Sequence, residues 1–172
     1  MTVNLAYSTS EPNVGLDLNA RRESLKCYMG DTGLLLSMAF GENALLAGDI
    51  HNRILGERLE LNEGMLIENI VAQMIRAAGH ELYFYSNSDR KNADERMEID
   101  FLLDKPTLGR RHNISPIEVK SGTNYTFSSL KKFHAKFRPL LARSYLLHTK
   151  DRKIVDDVIC LPLYMTPFLV RG

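Results

Sequence analysis

The chain is poor in the residues that build disulfide frameworks and zinc sites. Its 172 residues include two cysteines, Cys27 and Cys160, far apart and without Cys-x-x-Cys spacing, and five histidines scattered singly. That pattern excludes a disulfide scaffold and a zinc finger, and it fits thiols kept reduced inside a cell. A positive-then-apolar signal stretch is also missing from the N-terminus. The most apolar early run, residues 33–47, is interrupted by Gly41, Glu42 and Asn43 and is too short to span a bilayer. Cytoplasmic location is therefore the expectation. No GxxxxGK[ST] phosphate loop occurs, so the chain is not an ATPase in its own right.

Acidic residues are scarce in one region. Between Lys105 and Lys153 twelve lysines and arginines face only Glu118 and Asp151, a local charge of +10. The whole chain carries +1, so the remainder carries −9. Such asymmetry points to a polyanionic partner. Hydrophobic residues at 44% and charged residues at 25% are ordinary for a globular domain.

Along the chain, residues 1–24 read as a flexible lead, rich in Ser, Pro, Asn and Gly, and residues 25–60 as a helical lead. Leu34 to Phe40 and Ala44 to Leu59 carry its helical patterning. The main domain is expected over 61–170. Asn62 to Gly79 is the best helix, with Leu66, Ile67, Ile70, Val71, Met74, Ile75 and Ala78 forming an apolar stripe and Gly79 suited to the left-handed position after its end. Glu68 lies at the margin of that stripe. Three strands follow, at 81–85, 97–104 and 114–120. A helix capped by Ser128 or Ser129 comes next, with Leu130, Phe133 and Phe137 inward. A strand at 144–148 and a short terminal element at 154–163 complete the order. Helix, three strands, helix, strand predicts an α/β fold with a mixed sheet flanked by helices.

Alternation along a strand puts residues two apart on one face. Glu98 and Asp100 then project together, with Ile99 and Phe101 behind them, and Glu118 and Lys120 project together around Val119. An antiparallel pairing that sets Asp100 across from Glu118 centres the connecting loop on Gly109, where a turn is wanted. Two converging carboxylates repel and are costly to bury. A divalent cation relieves both problems, and hard oxygen ligands suit magnesium or manganese. Lys120 would orient a metal-bound water or stabilise charge on an attacked phosphate, and Glu68 would reach the metal through a water. This reading requires Asp100 and Glu118 on one face of the sheet. From the basic region, Lys131, Lys132, Lys136 and Arg138 on one helix, with Arg110 and Arg111 before it, are the candidate phosphate contacts.

Three segments, Gly-Met-Leu-Ile-Glu-Asn-Ile-Val (64–71), Glu-Ile-Asp-Phe-Leu-Leu (98–103) and Ile-Glu-Val-Lys-Ser-Gly (117–122), resemble the PD-(D/E)XK nuclease superfamily. More narrowly, they resemble a C-terminal domain of unknown function that follows AAA-type ATPase modules in prokaryotes. Residues 26–34 are similar to that family's upstream stretch and 161–165 to its close. The resemblance implies a restriction-endonuclease-like core, with Glu68, Asp100 and Glu118 as metal ligands and Lys120 as the catalytic lysine. It implies a magnesium-dependent nuclease acting on DNA before RNA, working with an ATPase module in the same or a partner chain. The alternative it allows is a catalytically inactive adaptor of the same fold that docks on or regulates the ATPase.

Overall fold

A computed structural model describes residues 2–13, 15–40, 63–88, 95–104, 113–122 and 124–171. Its elements are β1 (Val3–Thr9), β2 (Ala20–Met29), α1 (Thr32–Phe40), α2 (Glu63–Ala77), β3 (Leu82–Asn87), β4 (Met97–Asp104), β5 (Ile114–Val119), α3 (Ser128–Phe137), β6 (Ser144–His148), β7 (Lys153–Val155), β8 (Val158–Pro162) and α4 (Thr166–Val170). The strands form one mixed sheet in the order β2-β1-β3-β4-β5-β6-β8-β7. β1–β3, β5–β6 and β6–β8 are parallel, and the other neighbours are antiparallel. The protein is thus α/β, as the element order predicted. No helix among the described residues is long and apolar enough to cross a membrane.

Each face of the sheet has its own apolar layer. Val71, Ala72 and Ile75 of α2 pack with Ala6, Tyr28, Phe84, Phe101, Leu103, Ile117 and Leu147 on one side. Leu130 and Phe133 of α3 pack with Tyr85, Ile99, Leu102, Ile114, Leu146 and Cys160 on the other. α2 ends as the sequence suggested. Gly79 has φ +90°, and the N–H groups of Gly79 and His80 donate to the carbonyls of Arg76 and Ile75. A Cβ at Gly79 would meet nothing within 4 Å, so Gly79→Ala should cost only the left-handed backbone penalty, about 1 kcal/mol, in a denaturant titration.

Several expectations are corrected. Residues 1–24 include β1 and the start of β2, both built into the sheet and not a flexible lead. β2 escaped notice because it is the edge strand and exposes polar side chains from Arg21 to Ser24, so it lacks a buried alternation. The stretch 25–60 opens as the end of that strand; α1 bears out the first helical run, and the second, 44–59, lies outside the described residues, as does Asn62. Neither Ser128 nor Ser129 caps α3; Phe127 holds the cap position without a side-chain bond. The terminal element is a β7–β8 hairpin turning at Asp156, which has φ 53°. Pro116 lies just before the stretch of β5 that pairs with β6, where its missing N–H leaves no gap in that ladder.

The β4–β5 register is the anticipated one. Phe101, Leu102, Leu103 and Asp104 face Ile117, Pro116, Ser115 and Ile114; the loop through Gly109 lies outside the described residues. β4 nevertheless carries an irregularity that the sequence did not reveal. Against β3, Leu102 pairs with Tyr83 and Ile99 with Tyr85. Phe84 therefore opposes both Asp100 and Phe101, a β-bulge of the kind that re-aims side chains. Phe101 joins the α2-side layer while Ile99 stays in the α3-side layer. The expectation that both point the same way fails for that reason.

Candidate functional site

The bulge decides which acids meet. Asp100 faces α2, and its Oδ2 accepts a 2.8 Å hydrogen bond from the Val119 N–H. Glu68, on α2, sits at the same place. Between them lies Lys26 of β2, whose Nζ is 2.6 Å from Glu98, 3.1 Å from Glu68 and 4.0 Å from Asp100. The Tyr28 hydroxyl donates a short hydrogen bond to Glu68. Lys26 and Tyr28 reach the cluster together because they are two apart on one strand, as are Glu98 and Asp100. The group lines a cavity of about 500 Å³ whose wall also includes Met65, Asn69 and Lys120.

Charge and burial set the protonation of this cluster. Burial, and then the nearby Glu68 carboxylate, push Asp100 up to about 7, against the pull of the Val119 N–H, Lys26 and Lys120. Burial alone would lower Lys26. The hydrogen bond to Glu98 and the charges of Glu68, Glu98 and Asp100 outweigh it, and the ammonium is held above its ordinary range. Tyr28 is pushed well up, first by burial and then by Glu68.

Glu118 is elsewhere. Its neighbours Ile117 and Val119 pack in the α2-side layer, and its partner across β6 is Leu146, a member of the α3-side layer. Glu118 thus points to the opposite face from Asp100. There its side chain is 4% exposed, Oε1 is 2.7 Å from Lys120 Nζ, and Oε2 is buried with no partner. Burial raises its pKa while Lys120 opposes that rise. The convergence of Asp100 with Glu118 does not occur. Glu68 and Asp100 do come together, joined by Glu98, and Glu118 and Lys120 form a separate pair. Among the described residues no group of three or more His, Cys, Asp and Glu is arranged to hold a metal ion. The anticipated magnesium ligand set of Asp100, Glu118 and Glu68 does not fit such an ion in this geometry.

On the basic helix α3, Lys131 pairs with Asp156 at 3.1 Å and Lys136 with Glu95 at 3.2 Å. Lys132 donates to the Arg96 carbonyl at 3.4 Å. Arg138 lines a cleft with Lys131 and His134. Arg110 and Arg111 lie outside the described residues. Exposed pairs of this kind are weak, so they leave the lysines exchangeable with an external anion.

Four contributors went unread in the sequence. Lys26 and Tyr28 fall at the start of the stretch expected to be a helical lead, although their two-residue spacing was the available signal. Asn69 is buried, with Oδ1 accepting from Met29 N–H at 2.7 Å and Nδ2 donating to Met29 O and Thr32 Oγ1. Gln73 adds donations to the same Met29 carbonyl and Thr32 hydroxyl. These two amides lock α2 onto the β2–α1 junction and so fix Glu68 against Lys26.

Residues 63–165, more than half of the chain, match a family described as a domain of unknown function, DUF4143. The chain belongs to the DUF4143 family. Comparison with curated proteins and with solved structures returns no significant match. Within this DUF4143 chain the matched span holds Glu68, Glu98, Asp100, Glu118 and Lys120, whereas Lys26 and Tyr28 precede it. The acid cluster is therefore completed by a strand outside the matched span.

Proposed function

We propose that this DUF4143 domain is a non-cleaving binding module with a restriction-endonuclease-like core, one that docks on a protein partner. The sequence resemblance implies an AAA-type ATPase module as that partner. One observation carries the reading: the ammonium of Lys26 stands among Glu68, Glu98 and Asp100, where a catalytic cation would have to go. Glu118, on the other face, pairs instead with Lys120. The order α2-β3-β4-β5-α3-β6 supports the core, and an uncovered apolar strip supports docking. Val3, Leu5 and Leu25 share one face of the β1–β2 pair and are 38%, 38% and 45% exposed. Contiguous exposed apolar surface of this kind marks interaction sites.

The test is incubation of the purified chain with supercoiled plasmid and magnesium or manganese, beside Lys120→Ala. No nicking above that variant is expected with either ion. Metal-dependent nicking that Lys120→Ala abolishes would overturn the reading in favour of a magnesium-dependent nuclease.

A further inference from the structure

A second cavity, of about 610 Å³, opens on the α3 side of the sheet where β5 ends and β7 begins. Lys120, Asn124, Tyr125, Thr126, Phe127 and Lys153 line it. The two ammonium groups approach from different strands. Lys120 is matched by Glu118. Among the described residues no carboxylate is paired with Lys153, whose Nζ lies 5.4 Å from the centre of the Tyr125 ring. The rings of Tyr125 and Phe127 meet edge to face at 5.7 Å. The Tyr125 hydroxyl is fixed from below by a 2.9 Å hydrogen bond with Nδ1 of His148, which is fully buried. Burial, and then Lys153, hold His148 below its ordinary pKa, so the floor is neutral and the positive charge sits at the rim. Lys150 and Asp151 are the other charged groups near that floor, and they offset each other.

Positive rim, polar Asn124 and Thr126 side chains, and an immobilised aromatic pair are the complement of a phosphate joined to a flat ring. We propose that this cavity binds a nucleotide, with Lys153 and Lys120 on the phosphate and the Tyr125–Phe127 rings against the base. Phosphate takes charge-assisted hydrogen bonds from ammonium groups, and bases stack on aromatic side chains with little regard to sequence. Lys120 and Lys153 both belong to the +10 segment, and charge of one sign raises the local concentration of such anions. The site borders the Lys26 cavity through Lys120 but uses none of its acids and no metal, and Lys153, Tyr125 and Phe127 line only this one of the two cavities. The nucleotide has two sources, a free mononucleotide or the phosphorylated end of a single strand.

Calorimetric titration of the full chain at low salt tests this with four probes: adenosine 5′-monophosphate, adenosine, inorganic phosphate and a short 5′-phosphorylated oligodeoxynucleotide. The monophosphate should bind more tightly than adenosine or phosphate alone. Lys153→Gln should weaken it about tenfold, the loss of one charge-assisted hydrogen bond. Tyr125→Leu should weaken the monophosphate and leave inorganic phosphate unchanged. An oligonucleotide that outcompetes the monophosphate assigns the site to strand ends, and equal affinity assigns it to free nucleotides. Lys153 is exposed, so Lys153→Gln should fold normally even if Tyr125→Leu does not. Monophosphate affinity unchanged in Lys153→Gln, or no heat at millimolar ligand, would overturn the proposal.

Discussion

Asp100→Asn should stabilise the protein at pH 8 and leave it nearly unchanged at pH 4. The folded state holds the Asp100 proton up to about pH 7 because of burial and the Glu68 charge, whereas the unfolded chain releases it near 3.9. A raised folded-state pKa means that the native state binds the proton more tightly. The wild type is therefore not handicapped below the unfolded value. It loses stability as pH rises from about 4 to about 7, and stays handicapped above that. A difference of about three units sets a ceiling near 4 kcal/mol, and the side chain is only 16% exposed. A gain of about 2–4 kcal/mol at pH 8 is expected, because asparagine keeps an acceptor for the Val119 N–H and carries no charge. Urea titrations of both proteins at pH 4, 6 and 8 check it. Parallel stability curves across that range would show that Asp100 titrates normally.

Lys26→Met should act in the opposite direction and be the most damaging single change in the cluster. It leaves Glu68, Glu98 and Asp100 facing one another with only Lys120, which pulls on Asp100, as a nearby counter-charge. Removing one partner of a fully buried ion pair costs about 3–5 kcal/mol. Lys26 keeps 26% of its side-chain exposure, so about 2–3 kcal/mol is expected at pH 8. The loss should shrink at pH 5, where Asp100 carries its proton. Combining Lys26→Met with Asp100→Asn should recover part of it, since the two residues share one network. The same urea series measures all three variants. Additive effects in the double variant would mean that Lys26 and Asp100 do not interact.

Much of the architecture was legible because periodicity and punctuation are local. β4 and β6 were read to the residue, the β4–β5 register followed from strand alternation and the position of Gly109, and Gly79 announced the end of α2. The site was legible only in part. Glu98 and Asp100 do share a face, and Glu68 does turn toward them from the stripe margin. Asp100 and Glu118 part company because one extra residue opposite Phe84 reverses the alternation after Ile99. A bulge is set by how three strands pack and leaves no mark in the pattern of a single strand. Lys26 was missed because it lies near the end of an edge strand that is exposed along most of its length and shows no buried alternation, and it falls in the stretch that reads as a helical lead.

The parallel pairing of β1 with β3 also governs the order in which the molecule can assemble. Ala6, Tyr7 and Ser8 pair with Leu82, Tyr83 and Phe84, so β1 waits for a neighbour synthesised much later in the chain. Until α2 and β3 arrive, the β1–β2 hairpin shows Ala6 and Tyr28 to solvent, and a lone two-stranded hairpin is at best marginally stable. Closing so long a loop precedes the contacts that reward it, which slows folding and lengthens the time in which an open strand edge is available to another chain. The arrangement that delivers Lys26 to its acids therefore makes the N-terminal strands the last to be secured.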